Sequence, residues 1–136
     1  MQVRECSEDE LRIPFHVGDD HSRTWVITRQ GSGLRLKHDH RHADGSPDAT
    51  TMYGGDTRDG GTAQRQQFPV DAVSVAMFKA RDMTASVTNT WAMEITPGKN
   101  FVYELSRPGG RLFRVDFDLS QPVAAPPPPW GAAPLP

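Results

Sequence analysis

Arg23-Thr24-Trp25-Val26-Ile27-Thr28-Arg29-Gln30-Gly31-Ser32-Gly33-Leu34-Arg35-Leu36-Lys37-His38-Asp39-His40-Arg41-His42 is the stretch that decides the fold. In an extended chain successive side chains point to opposite faces. Trp25 and Ile27 therefore share one side of the first arm. In the second arm Leu34, Leu36, His38, His40 and His42 share a face, opposite Arg35, Lys37, Asp39 and Arg41. Between the arms, Gln30-Gly31-Ser32-Gly33 supplies a turn, so the stretch reads as a β-hairpin. The histidines continue a stripe begun by two leucines, which carries them toward a core edge or a cavity mouth.

Similar alternation recurs on both sides. Leu11, Ile13, Phe15 and Val17 alternate with polar residues and with Pro14, a residue that argues for an edge strand. Short strands are predicted around Thr50–Tyr53 and over Thr62–Phe68, separated by the glycine-rich break Gly54–Gly61. After Pro69, Ala72, Val73, Ala76, Met77 and Ala80 recur at helical spacing behind Asp71 as N-cap. Then Asn89–Thr96, Phe101–Ser106 and Phe113–Leu119 alternate between tight turns at Pro97-Gly98 and Pro108-Gly109. Strands joined so closely predict a mainly β fold: a single bent antiparallel sheet or small barrel, calycin-like by analogy, with one short helix.

At 136 residues the chain has the length of one domain. We place that domain at residues 1–121 and a proline-rich arm at 122–136, where seven of the twelve prolines fall. The arm suits a polyproline II conformation, packing Trp130 onto its own domain or a neighbour more readily than serving as a docking peptide. A formal charge of −2 gives no electrostatic reason to expect nucleic acid or an anionic membrane as partner. No window is apolar enough to span a bilayer, and the first residues lack a signal-peptide pattern. Location is expected to be cytoplasmic if Met1 is native and exported if a leader was removed. Cys6, alone and among acidic neighbours, offers neither a disulfide nor a reactive thiol.

Chemistry concentrates in the histidines. Neutral imidazole ligates zinc and other divalent transition metals, and residues two apart on a strand can converge on one ion. Three successive same-face residues span roughly 13 Å, so a pair from His38, His40 and His42 with a further ligand is the realistic site. Counting outward from a turn centred on Ser32 sets Trp25 opposite Asp39 and His21 near Ala43, making His21 the candidate third ligand. The His38-x-His40 pair after Gly31, with Asp44 downstream, distantly resembles the first metal motif of cupins; no histidine follows Pro97-Gly98 where the second motif would stand. The competing expectation is a hydrogen-bonded polar cluster at a sheet margin.

Inward-reading aromatics, Trp25, Trp91 and Tyr103 foremost, can wall a pocket for a small apolar ligand. The function expected is thus a non-enzymatic module binding a small ligand or a metal ion. Two alternatives remain: a divalent-metal hydrolase or cupin-like enzyme built on the histidine strand, and a homo-oligomeric assembly module using Thr62–Phe68 or the arm.

Overall fold

The computed structural model describes residues 1–135. Five strands form one antiparallel sheet in chain order: β1 (Glu5–Cys6), β2 (Glu10–Val17), β3 (Asp20–Gln30), β4 (Gly33–His40) and β5 (Tyr53–Asp56). Four form a second: β6 (Arg65–Pro69), β7 (Thr90–Thr96), β8 (Asn100–Arg107) and β9 (Gly110–Asp118). The mainly β fold with one short helix is as the alternation predicts, but it is two sheets and no closed barrel. Every strand pairs only with its chain neighbours, so each sheet is a meander built from local hairpins.

The β3–β4 hairpin turns through Gly31 and Ser32, with Gln30 opposite Gly33 and Gly31 at φ 58°, a conformation glycine adopts without strain. The register is one residue away from that of a turn centred on Ser32. Trp25 consequently faces His38, not Asp39, and Ile27 faces Leu36. Pro14 does not mark an outer strand as such: β2 lies between β1 and β3, but two-residue β1 pairs only with Leu11 and Arg12, so no partner asks Pro14 for an N–H.

Gly54 and Gly55 belong to β5 rather than to a loop, and closeness explains them. A Cβ on Gly54 would sit 1.8 Å from the Leu36 carbonyl oxygen, and one on Gly55 would sit 1.7 Å from that of Pro69. This is where the two sheets meet, and the Asp71 N–H donates to the Gly54 carbonyl at 2.9 Å. β6 pairs with β7 alone and is an outer strand of its sheet, and its Pro69 end lies against Gly55 of β5 here.

Helix α1 (Ala72–Ala80) starts at Asp71, whose carboxylate accepts from the Ser74 N–H at 2.8 Å and pairs with Lys37 Nζ at 2.5 Å. Its buried face differs from the expected one. Ser74 and Phe78 are buried while Val73 is 69% exposed, because the Ser74 hydroxyl accepts from Gly54 N–H at 2.8 Å and so replaces apolar packing at the sheet corner. Phe78 joins Ile13, Trp25, Leu36, Phe68, Trp91, Met93, Phe101 and Tyr103 in a core between the sheets.

From Gln121 to Ala125 the arm is exposed, and Pro129 is buried. Its far end folds back onto the first sheet: Trp130 N–H donates to the His21 carbonyl at 2.9 Å, and Arg4 Nη2 to that of Ala133 at 3.0 Å. Gly131 passes so close that a Cβ there would meet Arg41 Cδ at 2.6 Å.

Candidate functional site

Alternation does carry Leu36 and His38 to the same inner face, where both are fully buried. The His38 ring stacks on Tyr53 at 4.5 Å between centroids and lies 4.7 Å from Trp25 and 4.9 Å from Trp91. Its Nδ1 is 2.9 Å from the Tyr53 carbonyl oxygen, which can only accept, so Nδ1 carries the proton. Nε2 then accepts from the Tyr103 hydroxyl at 3.0 Å. Burial pushes the imidazole down to about 3 and the Tyr103 phenol well above its usual value. His38 is a neutral, doubly bonded hinge pin for two tyrosines, with no free lone pair to offer a metal.

The other histidines go elsewhere. β4 ends at His40, and beyond it the chain turns so that Arg41 bridges to Pro47. His40 Nδ1 then lies 3.9 Å from one oxygen of Asp48 and His42 Nε2 lies 3.6 Å from the other, with His42 exposed. The Thr50 N–H, donating at 2.7 Å, and then these histidines and Arg81 hold the Asp48 carboxyl below the usual range. His21 does not join them. Its Nδ1 is 2.8 Å from Nδ1 of His16, its ring edge turned to Trp130. Burial, then His21 and the chain's amino group, lower the His16 pKa. The four candidate ligands are thus split among three environments, and among the described residues no three His, Cys, Asp or Glu side chains gather to hold a metal.

One end of the sandwich opens into a cleft of about 400 Å³. Its floor is aromatic: Tyr53 from β5, Trp91 from β7, Tyr103 from β8 and Phe78 from α1. Trp91 and Tyr103 are thereby brought together as the alternation suggests, and the pin through His38 fixes their rings. Trp25 is not part of the cleft. It is a core residue, 2% exposed, packed between Phe15, His38 and Tyr103, and its indole Nε1 has no partner.

The cleft's walls carry two guanidinium groups that the sequence alone did not single out. Arg23 enters from β3, held by Asp20 at 3.2 Å. Arg107 enters from β8, its Nε donating at 2.8 Å to Asn89 Oδ1. Among the described residues Arg107 makes no ion pair, and it lines the cleft. His40, Asp48 and Thr50 complete the polar rim.

Two arginines, one of them paired with Asp20, therefore stand with the Asp48 carboxylate over an apolar floor. Such a surface can stack a flat or apolar body and clamp an anionic group with paired N–H donors. Comparison with protein-family models, characterised proteins and solved structures finds no match to this chain.

Proposed function

We propose that the domain is a binding module for a small organic anion, an aromatic or apolar body carrying a carboxylate or similar group, held in the cleft between the two sheets. The observation that carries the reading is Arg107: a side chain anchored by Asn89, without a carboxylate partner, at the edge of an aromatic floor. A guanidinium so placed is pre-organised for bidentate pairing with a carboxylate and loses little freedom on doing so. The cleft volume of about 400 Å³ lies within the usual range for small-molecule sites.

His38 is the residue whose chemistry first suggests catalysis, and both its ring nitrogens are committed to protein groups. Its role is to hold the floor flat. Chemical-shift mapping with benzoate and cinnamate tests the site: the Trp91 indole and Arg107 side-chain resonances should move together with added ligand. Shifts confined to other surfaces, or no saturable shifts, would remove the cleft from consideration.

A further inference from the structure

The outer margin of β9 is a strand edge without a partner. β9 pairs with β8 alone, and no main-chain hydrogen bond from its other side reaches any described residue. Leu112 is 55% exposed and Phe113 43% exposed, although Phe113 stands opposite Leu105 on the inward face, its ring centroid 6.1 Å from that of Tyr103. The core therefore runs out to this edge and stops uncovered. Proteins protect such an edge or use it.

The charges along β9 are ordered. Arg111 and Arg114 occupy its first half, and Asp116 and Asp118 its second. From these facts we infer that β9 pairs with β9 of a second copy of this chain, antiparallel about a two-fold axis through Val115, joining two four-stranded sheets into one of eight.

Geometry selects the register. Residues directly opposite in an antiparallel pair point to the same face, so in a self-paired strand the two-fold axis passes through a residue rather than between residues. Centred on Arg114 the pairing would set arginine against arginine, and centred on Asp116 it would set aspartate against aspartate; like charges directly opposite destabilise. Centred on Val115, each Arg114 meets the partner's Asp116, and each Phe113 meets the partner's Phe117. The bulge where Leu105 and Ser106 pair with Phe113 and Arg111 ends the regular run at Phe113, so centres further toward the strand start lose most of their length. An isologous two-fold contact is also the commonest way for a soluble chain to assemble.

Arg114 already bonds Glu94, Glu104 and Asp116 of its own sheet. Asp116, whose side chain is 53% exposed and bonded to Arg114 alone, is the freer half of the pair and the better target. Sedimentation equilibrium on the full chain should give twice the 15.0 kDa monomer mass, with concentration-dependent dissociation. Asp116→Arg, folded by circular dichroism, should sediment at least tenfold more weakly associated. In a Cys6→Ser background, Val115→Cys should form a disulfide-linked dimer under mild oxidation, whereas Leu112→Cys should not, because it faces the partner's Asp118. A wild type that stays monomeric at millimolar concentration overturns the inference. So does a dimer that survives Asp116→Arg but is lost on truncation after Val123, which would assign assembly to the arm, or cross-linking that is equal at both cysteine positions.

Discussion

His38 and Tyr103 share a hydrogen bond of 3.0 Å in which the phenol donates to the imidazole, joining β4 of one sheet to β8 of the other through the middle of the core. The bond requires a neutral ring. A proton on Nε2 would reverse the bond, depriving the Tyr103 O–H of its acceptor, and would place an imidazolium charge in the buried core, where desolvation disfavours it.

Stability should therefore depend on pH through His38. Its folded pKa of about 3 lies below the ordinary value of 6.5, so between these values the unfolded chain binds the extra proton and folding loses ground as pH falls. The loss is fully absent above pH 6.5 and is on the order of a few kcal/mol by pH 4. His16, also lowered, adds to it in the same direction. Urea unfolding at pH 7 and pH 4.5, a window above most carboxylate titrations, should show this slope in the wild type. A clearly flatter slope is expected in His38→Gln, which cannot take up the proton.

The corner between the sheets should tolerate no side chain at Gly55. Gly55→Ala forces a backbone shift against the Pro69 carbonyl, and about 3 kcal/mol or more of destabilisation is expected. Gly60→Ala is the control: a Cβ there meets nothing within 4 Å, and thermal melts should coincide with the wild type.

Ser74 should matter more to helix α1 than any apolar residue on its exposed face. Ser74→Ala leaves the buried Gly54 N–H without an acceptor, while the Gly54 carbonyl keeps the Asp71 N–H. A cost of about 1–3 kcal/mol follows, against under about 0.5 kcal/mol for Val73→Ala, both read by denaturant titration.

How much of this was legible in the chain follows from range. Strands β2, β3, β4, β7, β8 and β9 announce themselves through alternation, and α1 through Asp71 and its spacing, because those signals are local. The stripe Leu34-Leu36-His38 was legible for the same reason. Its continuation was not: β4 stops at His40 and the chain turns toward Ser46, so His42 leaves the place the observed register would give it opposite His21, and His21 bonds His16 instead. Gly54-Gly55 reads as a loop because nothing nearby in sequence reveals the Pro69 and Leu36 carbonyls pressing on it. The buried face of α1 departs from its apolar spacing because a hydroxyl, not a methyl, makes the decisive contact. Arg23 and Arg107 each look like an ordinary solvated strand residue. Only the approach of β3 to β8, seen where Trp25 meets Tyr103, brings the two to one cleft although they stand 84 residues apart in the chain.

Recognition of an anion over an aromatic floor is the central claim, and calorimetric titration with acid and amide forms of one ligand body, cinnamate against cinnamamide, measures it most directly. Saturable binding of the acid to the wild type is expected, with at least about tenfold weaker binding of the amide and loss of that preference in Arg107→Gln, since a charge-assisted pair contributes about 1.5–3 kcal/mol. Equal affinities for acid and amide, or an acid preference unchanged in Arg107→Gln, would contradict it.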